Sequence, residues 1–360
     1  MITPVRPGIP VAPELKTRPR YNTWYRVPKE EGITGDGGSW HFYLSKGHER
    51  NLLIFFAGGG VAWDAFTAAH PTEAAGVLKG DPGYYWANLR PVTEFMNINQ
   101  GITENRNKLN YFSDWNMAVI TYSTGDFHLG DCDFYYDRKD PGKVMHFRGY
   151  RNFSIALEEI KRRFPEPVKL LIAGDSAGGF GAAALSGEIL KHYDPDRHSV
   201  TVCSDSALLP WDKWKKIMRK RWNTRPEIYE RIESSNPVTD WYRALYKEYG
   251  DRIRYLFTCS CRDEVLSAYG NAIKGNDYVS DAGIRLDFRD ALRSMVYDLS
   301  DITGSFCFFL NDLPVHTAIR NPLFRSSLVD GVSMHEWLKC MVNGEHFSVG
   351  MGYLSKDGGR

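Results

Sequence analysis

Ser176 lies in Gly174-Asp-Ser-Ala-Gly-Gly179, directly after the apolar run Val168-Lys-Leu-Leu-Ile-Ala173 and directly before the small-residue stretch Phe180-Gly-Ala-Ala-Ala-Leu185. A Gly-x-Ser-x-Gly between strand and helix makes the serine a candidate nucleophile. The sharp turn pushes it into a strained, exposed conformation that only side-chain-free flanking positions tolerate. The first turn of the following helix then aims its free N–H groups at any oxyanion formed there. The competing reading is a glycine-rich turn with an incidental serine, and the strand before it and helix after it argue against that.

A serine nucleophile needs a base, and the base needs a carboxylate to fix its tautomer, usually in the chain order Ser, Asp or Glu, His. Asp263 follows the run Ile253-Arg-Tyr-Leu-Phe-Thr-Cys259, where a loop beyond the next-to-last strand would place the acid. Its neighbour Glu264 could substitute. Asp205, in Cys203-Ser-Asp-Ser206, ends an earlier strand and is the alternative acid, or else a turn cap or part of the pocket floor. His316 follows the last apolar run, Phe306-Cys-Phe-Phe-Leu310, at the position of a returning base, while His335 and His346 lie beyond a turn expected at Asp330-Gly331. The oxyanion donors are expected from Ala177 N–H and from the loop in Phe55-Phe-Ala-Gly-Gly-Gly60, with Gly59, Gly60 and the Val61 amide as candidates. A strand running into three glycines lets backbone N–H groups approach a ligand unobstructed. The loop lacks the Gly-Lys-Ser/Thr ending of a P-loop, so nucleotide binding is a weak rival.

These residues must be carried by strands. Trp40-His-Phe-Tyr-Leu44, Leu52-Leu-Ile-Phe-Phe56, Met117-Ala-Val-Ile-Thr-Tyr122, Leu170-Leu-Ile-Ala173, Ser199-Val-Thr-Val-Cys203 and the two later runs are apolar, several continuously so. That pattern predicts a parallel sheet covered on both faces. Tyr150, Phe153, Leu157, Ile160 and Phe164 recur at helical spacing and predict an amphipathic crossover helix. Strands alternating with helices give a doubly wound α/β sheet, with ligands beyond the carboxyl ends of the strands.

No linker divides the 360 residues, so a single domain is expected. Two irregular segments, about 61–114 and 208–251, are expected to roof the site. The first carries Trp63, Tyr84, Tyr85, Trp86 and Phe95, and the second carries Trp211, Trp214, Trp222, Tyr229, Trp241, Tyr242 and Tyr246 among many basic residues. Of these, Trp63, Trp211 and Trp214, with Asp205, are candidate substrate contacts, although cap aromatics more often form the cap's own core. The basic residues of the second segment would suit a partly acidic glycan, or are the solvated face of a helix.

Lys and Arg number 45 against 44 Asp and Glu, which points away from nucleic acid and anionic membranes. The proline-broken start, Met1-Ile-Thr-Pro-Val-Arg-Pro, is no secretory h-region, and no run approaches a membrane span. The six cysteines are scattered, and Cys203, Cys259 and Cys307 lie in strand-like runs, as buried free thiols would. Cys259-Ser-Cys261 has neither redox nor zinc spacing. A cytoplasmic location is expected, with secretion as the alternative. Neither a metal nor an organic cofactor is called for.

Together the motifs resemble those of the pectin acetylesterase and Notum family of α/β-hydrolase carboxylesterases. Phe55-Phe-Ala-Gly-Gly-Gly60 is similar to that family's glycine loop. Asp114-Trp-Asn116 with Tyr122-Ser-Thr-Gly125 and Gly130-Asp131, and Gly174-Asp-Ser-Ala-Gly-Gly179 with Ser204-Asp-Ser206, resemble its later blocks. The resemblance implies an α/β-hydrolase fold with cap insertions, acting on O-acyl esters of sugars or acylated proteins. It also implies Ser176, Asp263 and His316 as the triad. Val61-Ala62 and Ser123 stand where the family usually has Trp-Cys and Cys, which removes its disulfide pattern. The expected activity is removal of O-acetyl groups from a carbohydrate such as a pectin-type polysaccharide. The alternatives are a lipase- or thioesterase-like deacylase of longer acyl esters and a non-catalytic binding module.

Overall fold

Continuous apolar runs are satisfied in strands covered on both faces, and most of the runs above become such strands. The computed structural model describes residues 12–73, 83–89 and 96–355. Residues 1–11, which include most of the proline-broken start, and Phe95 lie outside the described residues.

Eight strands form one sheet in the order β1–β2–β4–β3–β7–β8–β9–β10. They are β1 (Trp24–Ile33), β2 (Ser39–Ser45), β3 (Leu52–Phe56), β4 (Asn116–Ile120), β7 (Lys169–Asp175), β8 (Ser199–Asp205), β9 (Ile253–Ser260) and β10 (Cys307–Asn311). The β1/β2 and β2/β4 pairs are antiparallel, and the pairs from β4 through β10 are parallel. Between β4 and β7 stands a separate hairpin, β5 (Cys132–Tyr135) with β6 (Val144–Phe147). Near the C-terminus β11 (Leu328–Val329) and β12 (Val332–Ser333) close around the expected Asp330-Gly331 turn. β1 was not foreseen, because its Lys29-Glu30-Glu31 obscures the alternation and Pro28 suits only an edge.

The helices are α1 (Ala65–Ala69), α2 (Gly149–Arg163), α3 (Ala177–Leu190), α4 (Trp214–Lys220), α5 (Pro226–Tyr229), α6 (Pro237–Tyr249), α7 (Glu264–Ala272), α8 (Ala282–Ser300), α9 (Leu323–Ser326) and α10 (Met334–Val342). α2 is the expected crossover, burying Tyr150, Phe153, Leu157 and Ile160. α3 is buried along nearly its whole length. A helix apolar on every side belongs inside a layered fold. With helices packed around a mostly parallel sheet in this strand order, the chain has an α/β-hydrolase-like fold. Among the described residues no helix is long and apolar enough to cross a membrane.

β7, β8, β9 and β10 run parallel in adjacent register, so their carboxyl ends lie side by side. Asp175 and Asp205 are register partners at those ends. The chain segments that follow these strands therefore meet along one edge.

All six cysteines are free thiols, with Cys203 in β8, Cys259 in β9 and Cys307 in β10. Melting in the presence and absence of a strong reductant should give the same Tm. A fall of about 5 °C or more on reduction, the scale of a lost native disulfide, would contradict this.

Candidate active site

Ser176 follows β7 at φ 53°, a left-handed conformation rarely adopted by a residue with a side chain. Close packing at the two flanking glycines imposes it. A Cβ on Gly174 would lie 2.1 Å from the Gly178 carbonyl oxygen, and one on Gly178 would lie 2.0 Å from that of Phe56. Only glycine lets β3, β7 and the start of α3 converge here. The Ser176 amide donates to the Asp205 carbonyl at 2.8 Å, tying the turn to the neighbouring strand. The side chain is left half-buried rather than covered.

His316 and Ser176 line the same cleft, of about 210 Å³, together with Gly58, Gly59 and Gly60. Asp263 stands behind the imidazole. It is the N-cap of α7, and its Oδ1 accepts the Leu266 N–H at 2.9 Å. Its other oxygen lies 2.8 Å from His316 Nδ1. Aspartate is a preferred N-cap, and the helix N-terminus favours its negative charge, so one carboxylate serves helix and histidine together. Glu264 is turned away, half-exposed and paired with Arg285 at 3.7 Å.

Burial alone would disfavour the imidazolium. The Asp263 carboxylate with its hydrogen bond, and the charges of Asp205 and Asp175, outweigh that and raise the His316 pKa above its ordinary 6.5. His335 and His346 lie elsewhere. His335 Nε2 accepts the Tyr111 N–H at 2.9 Å, and His346 sits 3.4 Å from the Cys307 thiol.

Asp205 partners the backbone after His316 instead of its imidazole. Its Oδ2 accepts the Ala318 and Ile319 N–H groups at 2.8 and 2.9 Å, and its Oδ1 accepts the Thr258 hydroxyl at 2.7 Å. Ser206 adds a third tie to that loop, its hydroxyl accepting the Thr317 N–H at 3.2 Å. Thr317 itself is at φ 61°. The buried Asp205 is thus a clamp on the His316 loop, and its oxygens are not turned to the cleft as a substrate contact would require.

The glycine loop is held by its backbone. Gly58 N–H donates to Asp175 Oδ1 at 2.7 Å, the Gly59 carbonyl accepts the Trp86 N–H at 3.0 Å, and the Gly60 carbonyl accepts the Tyr122 hydroxyl at 2.9 Å. The Val61 amide is already committed, donating to the Tyr84 carbonyl at 2.7 Å, so its expected part as an oxyanion donor is corrected. The Gly59, Gly60 and Ala177 amides have no acceptor among the described residues.

Three aromatic expectations are also corrected. Trp63 is buried against Tyr84 and Tyr269, behind the glycine loop. Trp214 is wholly buried between Phe127 and Trp222, its Nε1 donating to the Leu209 carbonyl, and Trp211 packs edge-on against it. None of the three lines the cleft, nor do the basic residues of 213–225. Both Trp63 and Trp214 belong to the one hydrophobic cluster that also covers the sheet, with the Trp214 N–H satisfied by a backbone carbonyl. The aromatic lining comes from Trp86, Tyr269 and Tyr278, the last two from α7 and the segment after it.

Sequence reasoning missed Asp175 and Arg320. They form a forked ion pair of 2.8 and 3.0 Å, with both side chains buried. Removing one partner of a buried pair costs about 3–5 kcal/mol. An exposed bridge such as Lys191–Glu188 is worth roughly 0–1 kcal/mol, so this pair outweighs the surface bridges. The available signal was a charged residue at the free position of Gly-x-Ser-x-Gly, at the end of an apolar strand.

A mostly parallel sheet with a strained serine at a strand-to-helix elbow, a histidine paired with a carboxylate in the same cleft, and glycine amides beside it is the layout of an α/β-hydrolase-like fold. Residues 27–210 match the pectinacetylesterase family model, and the chain belongs to that family, a family of carboxylic ester hydrolases. No curated protein matches it.

The His316 environment is open to measurement. Its imidazole, followed by NMR, should titrate above 6.5, and Asp263→Asn should lower that pKa because the partner charge favouring the proton is removed. An unchanged or higher value in the variant would show that Asp263 does not hold the imidazolium.

Proposed function

We propose that the protein is a serine esterase that removes O-acetyl groups from a carbohydrate, with Ser176 as nucleophile, His316 as base and Asp263 as its orienting acid. The observation that carries this reading is the 2.8 Å His316–Asp263 hydrogen bond in the cleft that also holds Ser176.

In this mechanism His316 takes the hydroxyl proton as Ser176 Oγ bonds to the ester carbonyl carbon. The carbonyl oxygen becomes an oxyanion, held by the N–H groups of Ala177 and of Gly59 or Gly60. Collapse breaks the bond to the sugar oxygen, which leaves with the proton from His316, and Ser176 is left acetylated. Water then gives a proton to His316 and attacks the acetyl carbon, and the second collapse releases acetate and returns the proton to Ser176. Asp263 holds Nδ1–H throughout, so that Nε2 is the free base, and its charge stabilises the imidazolium formed at each step.

Two features support a small acyl group on a sugar. A cleft of about 210 Å³ is smaller than the ~300–1,000 Å³ usual for larger ligands. Its faces of Trp86, Tyr269 and Tyr278 suit the apolar side of a sugar ring. A pectin-type chain remains our proposed substrate on family grounds, without support from the basic cap residues.

Ser176→Ala should fold with unchanged Tm and lose about a thousandfold or more of its turnover of an acetyl ester. Retention of more than about a tenth would sink the nucleophile assignment and favour a binding module. In a series of aryl esters, kcat/KM should be highest for acetate and fall through butyrate to octanoate. The reverse order would make the cleft an acyl-chain site of the lipase kind.

A further inference from the structure

The position between glycine and serine is left unspecified in Gly-x-Ser-x-Gly, yet here it carries a buried carboxylate that reaches two other loops. Asp175 Oδ1 accepts the Gly58 N–H at 2.7 Å and Arg320 Nη2–H at 3.0 Å, and Oδ2 accepts Arg320 Nε–H at 2.8 Å. Arg320 Nη1–H donates onward to Asn97 Oδ1 at 2.8 Å. We propose that the Asp175–Arg320 pair is a positioning device that holds the glycine loop and the His316 loop in fixed register with Ser176. This rests on the reading of Ser176 and His316 as nucleophile and base.

The two loops need such a device for different reasons. The glycine loop has no side chains with which to anchor itself, and its first amide is taken by Asp175. The His316 loop is irregular backbone with Thr317 at φ 61°, clamped at Thr317, Ala318 and Ile319 by Ser206 and Asp205 on β8 and its following turn. Arg320 is the next residue, and its guanidinium ties the same loop to the end of β7. A carboxylate adjacent to the nucleophile is thereby bound to the start of the glycine loop through Gly58 on one side and to the His316 loop through Arg320 on the other. An apolar pair of equal volume would fill the space as well, but it could neither accept the Gly58 amide nor fix direction through a planar fork. Displacement of a reacting group by about 1 Å costs on the order of a hundredfold in rate, so the device acts chiefly on kcat.

The test is a cycle of Arg320→Lys, Asp175→Asn and the double variant, assayed with 4-nitrophenyl acetate beside Ser176→Ala and with Tm recorded for each. Arg320→Lys keeps the charge and loses the fork, and Asp175→Asn keeps the size and one acceptor. Each single variant should stay folded and lose about 10–100-fold in kcat, with KM changed less than about threefold. The double variant should lose little more than the worse single, because both remove one interaction. Turnover within about threefold of the parent in a folded single variant would overturn the proposal, as would losses that multiply in the double. Should Arg320→Lys fail to fold, Asp175→Asn decides by the same criterion. An active Ser176→Ala would bring down the nucleophile reading and this proposal with it. An inactive Ser176→Ala beside a fully active Arg320→Lys would bring down this proposal alone.

Discussion

Close contact between the Gly178 position and the Phe56 carbonyl sets the geometry from which the site is built. It lets α3 start hard against the end of β3, and the chain must then turn sharply between β7 and α3, which puts Ser176 at positive φ. A side chain at that point would push helix from sheet. The strain at one serine is held by a buried strand on one side and a buried helix on the other. Strain of this kind persists where the surroundings over-determine it.

Electrostatics at the strand ends follow from the register. Parallel pairing of β7 with β8 sets Asp175 beside Asp205, two buried carboxylates. Burial raises the Asp205 pKa, and the Asp175 charge adds to it. Two backbone N–H groups and a threonine hydroxyl satisfy the one, and the Arg320 fork with the Gly58 amide satisfies the other. Buried charges need such partners, and most of those partners lie on the His316 and glycine loops. The requirement to satisfy two carboxylates is therefore also what orders the irregular backbone around the cleft.

The cap obeys a different demand. Trp214, Trp222 and Trp241 are each wholly buried and donate to backbone carbonyls. Through Phe127, which stacks on Phe180 of α3 and touches both Trp214 and Trp222, these indoles join the core that covers the sheet. The rings left for the cleft, Trp86, Tyr269 and Tyr278, are fewer and partly spoken for, with the Tyr269 hydroxyl held by the Tyr84 carbonyl at 2.6 Å.

The sequence by itself determined the elements whose signals are local. Continuous apolar runs marked β2, β3, β4, β7, β8, β9 and β10, and helical spacing marked α2. Glycines around Ser176 marked the elbow, and the order of strand ends picked out Asp263 and His316, which lie 2.8 Å apart. β1 was illegible because an edge strand with one exposed face tolerates charges and a proline. Tertiary structure alone decided which amides lack an acceptor among the described residues, since Val61 and Gly60 are alike in sequence terms until Tyr84 arrives to take one of them. It also decided that Asp205 clamps backbone while Asp263 meets the imidazole, although both are acids after apolar strands. Arg320 lies 145 residues beyond Asp175. No periodicity or spacing encodes such a meeting, because it depends on where two loops stand after the whole sheet has been assembled.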